Sequence, residues 1–299
     1  MAPSVQPILR RPSSRGPLRR FAETRGLVGG HHGPHIVTRL ETHDGVGLGA
    51  SYLPGPAAAP AAVLLLHGFG ANRRKPAYAA LADRLARVLP VLTLDLRGHG
   101  SSGGASTFGD REEADVRAGA GWLRAFGHER LVVIGSSMGA TAAIHALWRG
   151  VPAMALVAIS APARFLDPAP VGPLQRLETL WHSDLQRGLL RAGLGVRLAG
   201  PGAWRSPPDP EHMVSTITQP LLLIHGEDDA YFPIGDAQRL AGNHAGSSTV
   251  WKEPAGFGHA EDGLTPAFAA RLGHAVLEVA RTGRYPPAST DIAPGSPSV

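Results

Sequence analysis

The chain has 299 residues, 43% hydrophobic and 18% charged, which is ordinary for a globular protein with a sizeable buried core. It contains no cysteine, which excludes disulfides, thiolate metal sites, iron–sulfur clusters and a cysteine nucleophile. Six arginines and one acid in residues 1–34 account for the whole formal charge of +5, so the remainder is formally neutral. That remainder therefore gives no sign of the basic face that a nucleic-acid-binding protein needs, and we expect no nucleic-acid partner.

The two ends of the chain are predicted to be tails. Residues 1–34 form an Arg-rich leader that we expect to be disordered, because no apolar segment of signal-peptide length follows either of its Arg-Arg pairs. Residues 285–299 are rich in Pro, Ser and Ala and are predicted to be a disordered tail. No window approaches 18 uninterrupted apolar residues, so we expect no stable membrane insertion and a cytoplasmic location by default.

Between the tails, strand-like runs alternate with helical patterns. An Asp-Gly turn separates two extended runs at 35–41 and 46–53, and this pattern predicts a hairpin. The later strand-like runs are compact and apolar, as expected of strands buried on both faces, and the helical runs repeat apolar residues at spacings of three and four. The predicted strands that follow are 62–66, 91–96, 131–134, 151–159, 220–224 and 248–252, and the predicted helices are 76–88, 111–126, 139–148, 234–240 and 266–281.

The alternation predicts an α/β fold with a mostly parallel sheet, right-handed crossovers and helices on both faces. Residues 35–164 and 216–284 would form this core. Residues 165–215 interrupt it with Pro-Gly clusters and short Leu-rich pieces, and we predict that they form an inserted cap. The many large apolar side chains of this block, Trp181 among them, predict that it also contributes an apolar ligand pocket.

A glycine-flanked turn, Gly-Ser-Ser-Met-Gly at 135–139, follows the strand predicted at 131–134. A nucleophile on a sharp strand-to-helix turn has strained backbone angles and needs small neighbours, because the strand and the helix come very close. The turn would expose the Ser137 hydroxyl and place the Met138 N–H at a helix N-terminus, where an unpaired amide favours an anion. The segment lacks both nucleotide-binding glycine signatures, so we interpret Ser137 as a nucleophile rather than part of a plain turn.

Three further segments follow predicted strands, at the sheet edge where ligands of open α/β sheets gather. Residues 67–70, His-Gly-Phe-Gly, can bring the Phe69 N–H close to a developing oxyanion. His259 follows a glycine-rich turn and precedes a helix. Three neighbouring acids follow the strand at 220–224, namely Glu227, Asp228 and Asp229. The order Ser137, an acid, His259 is that of the serine triad on an α/β sheet.

Taken together, these segments resemble the α/β-hydrolase superfamily over roughly residues 35–282, and its serine esterase and aminopeptidase-like branch in particular. The segment 95–102, Asp-Leu-Arg-Gly-His-Gly-Ser-Ser, belongs to the resemblance and has a mainly architectural role in the family. The resemblance implies an eight-stranded α/β-hydrolase sheet with a small, mainly helical cap. In the family the acid lies three residues after the Gly of its turn and four before the Pro, which implies Asp229, with Glu227 and Asp228 as alternatives.

The resemblance also implies a serine hydrolase that cleaves a carboxylic ester of a small or medium acyl substrate, with no cofactor and no metal. Ser137 would attack the carbonyl, His259 would take its proton, Asp229 would orient His259, and the Phe69 and Met138 amides would form the oxyanion hole. Thioesterase, amidase or peptidase, and cofactor-free perhydrolase or haloperoxidase-like activities remain open on the same triad. The alternatives of other classes are a non-catalytic ligand receptor on this fold and an anion or nucleic-acid binder that acts through the leader. The sequence predicts no oligomeric state.

Overall fold

The structure is a computed structural model that describes residues 29–165 and 170–287. Most of the predicted leader, residues 166–169 of the predicted cap and the tail from 288 onward lie outside the described residues. The predicted leader boundary falls within a segment that packs against the first helix, because Asp83 accepts a hydrogen bond from the His32 N–H at 2.7 Å and contacts the His31 ring. At the other end Tyr285, predicted to begin the tail, is buried.

The described residues form one eight-stranded sheet in the order β1-β2-β4-β3-β5-β6-β7-β8. Strands β1 and β2 form the predicted hairpin, β2 also pairs antiparallel with β4, and the remaining neighbours are parallel. The prediction of a mostly parallel eight-stranded α/β sheet is therefore confirmed. The strands are β1 (Ile36–Glu41), β2 (Gly47–Leu53), β3 (Ala62–Leu66), β4 (Val91–Leu94), β5 (Leu131–Ser136), β6 (Ala155–Ile159), β7 (Leu221–Gly226) and β8 (Ser248–Glu253).

Helices cover both faces of the sheet and separate two hydrophobic cores. Successive residues of a strand point to opposite faces, so Leu64 and Leu66 join the core under α2, α3 and α7, whereas Val63 and Leu65 join the core under α1 and α8. Among the described residues, no helix has the length and apolar content needed to cross a membrane. The helices are α1 (Pro76–Leu85), α2 (Glu113–Ala125), α3 (Met138–Trp148), α4 (Pro173–His182), α5 (Asp184–Leu194), α6 (Pro210–Met213), α7 (Ile234–Asn243) and α8 (Pro266–Thr282).

The predicted elements differ from the structure mainly at their ends. The strand predicted from residue 151 begins only at Ala155, after Pro152, whose nitrogen cannot donate a ladder hydrogen bond. The helix predicted to residue 88 ends at Leu85, and the next residues form a tight turn in which the Leu89 N–H donates to the Leu85 carbonyl at 2.9 Å.

The block between β6 and β7 contains α4, α5 and α6, and the connection from α5 to α6 is tied to the loop that precedes α2. The Ser106 N–H donates to the Arg197 carbonyl at 2.7 Å, and the Arg205 N–H donates to the Asp110 carboxylate at 2.6 Å. Every residue of α5 is at least partly exposed, whereas Trp181 of α4 is buried. The helical pair is thus held mainly through α4 and this connection, and its assignment as a cap over residues 165–215 stays a prediction.

Candidate active site

Ser137 lies between β5 and α3 in a strained backbone conformation. Its φ of 50° and ψ of −119° fall in a region that non-glycine residues rarely adopt. A Cβ added at Gly139 would lie 2.6 Å from the His67 carbonyl oxygen, and one at Gly135 would collide with the Gly139 carbonyl. The turn can therefore close only with glycine at both flanking positions, and it presents the Ser137 hydroxyl in the cavity described below.

The structure brings Ser137, His259 and Asp229 together in a continuous hydrogen-bonded line. The His259 Nε2 lies 3.0 Å from the Ser137 Oγ, and its Nδ1 lies 2.8 Å and 3.0 Å from the two carboxylate oxygens of Asp229. An ionised carboxylate can only accept hydrogen bonds, so the network assigns the proton to Nδ1 and leaves the Nε2 lone pair facing the serine hydroxyl. This geometry allows His259 to take a proton from Ser137.

The carboxylate of Asp229 is buried and remains the charged member of the line. Its side chain is 0% exposed, and its Oδ1 accepts hydrogen bonds from the N–H groups of Tyr231 at 2.8 Å and Phe232 at 3.1 Å. Burial opposes ionisation, but the hydrogen bond from His259 and these two backbone amides hold the pKa of Asp229 below its ordinary value. The carboxylate is therefore ionised at neutral pH and can stabilise a protonated His259.

The two neighbouring acids have other partners. Asp228 accepts hydrogen bonds from the Gly256 N–H at 2.6 Å and the Gly258 N–H at 3.0 Å, and so fixes the turn that precedes His259. Glu227 forms an ion pair with Lys252 on the surface. Of the three acids, Asp229 alone contacts His259 within the described part of the chain, which favours it as the orienting acid.

The two residues whose backbone amides are predicted to bind an oxyanion, Phe69 and Met138, line the same cavity as Ser137. Phe69 lies in the loop after β3, and this loop touches the nucleophile, because a Cβ added at Gly68 would lie 3.4 Å from the Ser137 Cβ. Met138 is the first residue of α3, where amides lack an intrahelical acceptor and the helix dipole favours an anion. Across residues 29–165 and 170–287, neither amide donates to a protein acceptor. Both N–H groups are thus available to a ligand.

The segment after β4 has the architectural role that the resemblance implies. Asp95 accepts hydrogen bonds from the Arg73 N–H at 2.9 Å and the Ser101 N–H at 2.8 Å. The Arg97 guanidinium bridges two carboxylates: its Nε donates to Asp115 at 2.9 Å, and its Nη1 donates to Asp44 at 2.8 Å. The hydrogen bonds from Arg97 hold the pKa of Asp44 well below its ordinary value. These contacts join the loop to the turn between β1 and β2, to the loop after β3 and to α2.

Sequence reasoning missed the role of Glu112. The Glu112 side chain is buried under the loop that precedes α2. It accepts hydrogen bonds from the Ser106 Oγ at 2.7 Å, the Thr107 N–H at 2.8 Å and the Gly109 N–H at 3.0 Å. This carboxylate holds Phe108 at a φ of 52° in the wall of the cavity. The donor-rich Ser-Thr-Phe-Gly segment just before the acid is the signal that could have found it.

A cavity of about 840 Å³ opens above Ser137 and has a largely aromatic wall. The ring centroids of Phe69 and Phe108 are 4.7 Å apart, and those of Phe108 and Trp181 are 6.1 Å apart. Leu177 of α4 also lines the cavity. The charged residues of the lining include Arg164, Glu178, Asp236 and Arg239. Within the described part of the 165–215 block, Phe165, Pro170 and α4 line the cavity, whereas Leu185, Leu189 and Leu194 of α5 are exposed. That this block sets an acyl pocket stays a prediction.

One cluster of candidate metal ligands lies among the described residues that do not line the cavity. Candidate ligand atoms of Asp209, Glu211 and His212 all lie within 4.8 Å of one another. Asp209 already accepts a hydrogen bond from the Phe165 N–H at 2.9 Å, and Glu211 forms an ion pair with Arg164 at 3.0 Å. These protein contacts account for the two acids, so the cluster carries no role in the site.

Several solved structures of known proteins are similar to this chain in fold. The esterase Pf2001 of Pyrococcus furiosus is 23% identical, with a TM-score of 0.63 over 85% of this chain and 98% of that one. The esterase RhEst1 of a Rhodococcus species is 17% identical, with a TM-score of 0.62 over 82% and 98% of the two chains. A membrane phospholipase A described as a bacterial virulence factor is 18% identical, with a TM-score of 0.63 over 89% and 93%. At these identities the similarity establishes the fold alone.

The family assignment depends on a sequence profile. No curated protein matches the chain. The model of the alpha/beta hydrolase family matches residues 63–284, which is well over half of the chain and includes every residue of the candidate site. The chain therefore belongs to the alpha/beta hydrolase family.

Proposed function

We propose that this protein is a serine hydrolase that cleaves carboxylic esters with small or medium acyl groups. The observation that carries the proposal is the line from the Ser137 Oγ to the His259 Nε2 at 3.0 Å and from the His259 Nδ1 to Asp229 at 2.8 Å. A serine hydroxyl is a weak nucleophile unless an adjacent base takes its proton, and a third group must orient that base. These three side chains fulfil those conditions.

In the proposed reaction, the Ser137 Oγ attacks the ester carbonyl carbon while His259 accepts the hydroxyl proton. The carbonyl oxygen becomes an oxyanion that accepts hydrogen bonds from the Phe69 and Met138 amides. His259 then gives its proton to the leaving alkoxide, the bond to the alcohol breaks, and an acyl-enzyme remains on Ser137. Water, which gives a proton to His259, then attacks the acyl carbon. The bond to the Ser137 Oγ breaks, the carboxylic acid leaves, and His259 returns the proton to Ser137. Asp229 remains ionised throughout and stabilises the protonated imidazole.

The cavity supports an apolar acyl group as the part of the substrate next to the nucleophile. Phe69, Phe108 and Trp181 form one aromatic wall beside Ser137. Such pockets bind apolar groups and use a few polar groups for orientation. Two of the similar structures named above are esterases, and this favours an ester over a thioester or an amide.

The nucleophile is tested with a fluorophosphonate probe, which labels an activated serine whatever the natural substrate. We expect labelling at Ser137 in the wild type and none in Ser137→Ala, whereas Ser136→Ala should still react. Turnover should fall by about three orders of magnitude or more in Ser137→Ala, to the residual rate that binding and the oxyanion hole support. Labelling at Ser136 would contradict the assignment, and a wild-type protein that binds acyl ligands without labelling would favour the receptor alternative.

The bond that is cleaved is tested with matched substrates. The p-nitrophenyl ester, the S-(p-nitrophenyl) thioester and the p-nitroanilide of butyric acid differ only in the atom that leaves the acyl carbon, which is oxygen, sulfur or nitrogen. We expect the highest kcat/KM for the oxygen ester. A higher kcat/KM for the thioester or the anilide would replace the proposed ester with one of the other activities on the same triad.

A further inference from the structure

Two buried side chains hold the loop that carries Phe69, one on each side of it. The Gly68 N–H donates to the Tyr78 hydroxyl oxygen at 3.0 Å, and the Gly70 N–H donates to the His99 Nε2 at 3.1 Å. We propose that Tyr78 and His99 are positioning residues that aim the Phe69 N–H at the oxyanion. This inference rests on the proposed serine-hydrolase function and adds two residues that do not belong to the triad.

The hydrogen bonds of the loop single out one amide. The amides of Gly68 and Gly70 are bound by these two side chains, and the Ala71 N–H donates to the Gly68 carbonyl at 3.3 Å. Among the described residues 68–71, Phe69 has the one N–H that finds no protein acceptor. Its peptide plane lies between the two planes that Tyr78 and His99 hold. Fixing both neighbours restricts the rotation of the middle plane, and this is the preorganisation that an oxyanion donor needs.

Tyr78 supplies a rigid acceptor from α1. Its side chain is 1% exposed, and burial raises its pKa, so the hydroxyl stays neutral over the working pH range. A Cβ added at Gly68 would lie 3.4 Å from both the Tyr78 oxygen and the Ser137 Cβ. The acceptor, the loop and the nucleophile are therefore in one packed layer, in which a displaced Gly68 would carry the Phe69 amide with it.

His99 supplies the second acceptor from the loop after β4. It is 0% exposed, and its Nδ1–H donates to the Arg97 carbonyl at 3.0 Å, which leaves the Nε2 lone pair for the Gly70 N–H. Burial lowers the pKa of His99 and so favours this neutral tautomer. The His99 ring also meets the Phe69 ring edge to face, with centroids 5.4 Å apart and planes at 89°. His99 thus holds both the backbone beyond Phe69 and the Phe69 side chain.

Three variants and a matched control test the inference. Tyr78→Phe removes only the acceptor oxygen, and His99→Met removes the acceptor nitrogen, whereas His99→Gln offers an amide oxygen on a side chain of the same length as Met. The control is Tyr52→Phe, which removes another buried phenol oxygen, one that contacts the His128 Nε2 at 2.8 Å on the antiparallel side of the sheet. Circular dichroism and urea unfolding establish that each variant is folded.

With p-nitrophenyl butyrate, we expect Tyr78→Phe and His99→Met to lower kcat about tenfold and to leave KM within about twofold, because a misaimed amide loses transition-state stabilisation rather than substrate binding. Phenylboronic acid forms a tetrahedral adduct on the serine, so its affinity should fall by the same factor as kcat. His99→Gln should recover most of kcat, and Tyr52→Phe should behave like the wild type.

The inference is overturned if folded Tyr78→Phe and His99→Met keep the wild-type kcat, or if kcat falls but boronate affinity does not. It is also overturned if His99→Gln has no higher kcat than His99→Met.

The rate of fluorophosphonate labelling separates a failure of this inference from a failure of the proposed function. A wild type that is labelled at Ser137 but hydrolyses no ester would refute the ester proposal alone. Labelling about tenfold slower in the two variants would then still support the positioning role. A wild type that is not labelled at Ser137 would overturn both.

Discussion

His67 couples the stability of the fold to pH through one buried imidazole. It is 1% exposed, its Nδ1–H donates to the Gly68 carbonyl at 2.8 Å, and its Nε2 accepts from the Leu96 N–H at 3.0 Å. Burial, helped by the neighbouring His99, lowers the pKa of His67 to about 3. The imidazole is therefore neutral in the folded protein at any pH at which the enzyme would work.

The pKa values of His67 in the folded and unfolded states determine how the free energy of unfolding changes with pH. In the unfolded chain the pKa of a histidine is about 6.5, so below that pH the unfolded state binds a proton that the folded state does not. The stability that His67 contributes is fully present above about pH 6.5, and it is lost as the pH falls toward 3. One proton is equivalent to about 1.4 kcal/mol per pH unit, so lowering the pH from 8 to 5 should remove about 2 kcal/mol of unfolding free energy through His67.

The assay compares the wild type with His67→Gln by urea unfolding at pH 5, 6, 7 and 8. The Gln amide oxygen can accept the Leu96 N–H in place of the imidazole nitrogen, so the variant should fold. Titrating groups that do not adjoin His67 have the same surroundings in both proteins and cancel in the difference. His99 does adjoin it, but burial lowers the pKa of His99 in its own right. The stability advantage of the wild type should shrink by about 2 kcal/mol between pH 8 and pH 5. A difference that stays constant across this range would refute the reasoning, because it would mean that burial does not change the pKa of His67.

Three further outcomes are expected. Asp229→Asn should lower kcat about a thousandfold or more, because the amide favours the wrong imidazole tautomer, whereas Asp228→Asn should cost less than about tenfold; equal losses in steady-state assays would contradict this. Gly139→Ala should lower the free energy of unfolding in urea by about 1–3 kcal/mol, because the added Cβ would lie 2.6 Å from a backbone oxygen. In the control Gly121→Ala the added Cβ meets nothing within 4 Å, so this change should raise the free energy of unfolding by up to about 1 kcal/mol. Trp181→Ala should move the kcat/KM optimum of p-nitrophenyl esters to longer acyl chains, and an unchanged optimum would place the acyl pocket elsewhere.

The sequence predicts those parts of the molecule whose signals are local. Buried strands are short apolar runs, and the residues that carry chemistry follow them directly, so the strand ends alone point to Ser137 and His259. The glycine pattern at 135–139 predicts the close approach of β5 and α3, and the collisions that a Cβ would make at Gly135 and Gly139 give its physical reason. Element ends are less well predicted, because a single residue such as Pro152 decides where a ladder of hydrogen bonds can begin.

The parts that the sequence does not predict depend on partners that are distant along the chain. Tyr78 meets the Gly68 amide, Arg97 joins Asp44 and Asp115, and each of these contacts needs the assembled sheet. In sequence, Tyr78 is one apolar residue on the inner face of a helix, and nothing in that periodicity indicates that its oxygen accepts a hydrogen bond.

The choice among three adjacent acids shows how the assembled fold resolves what spacing leaves open. A Cβ at Gly226 would lie 2.5 Å from the Gly258 carbonyl oxygen, so the end of β7 and the turn before His259 touch each other. At that contact Asp228 accepts hydrogen bonds from the Gly256 and Gly258 amides, and Asp229 accepts one from the His259 Nδ1–H. The two carboxylates therefore have different partners, since Asp228 holds the turn that carries His259 and Asp229 contacts its ring, where it would stabilise a protonated imidazole. Exchanging them by a one-residue shift would leave the turn amides or the imidazole unpaired, and this is the physical reason why the register of the turn determines which acid can act.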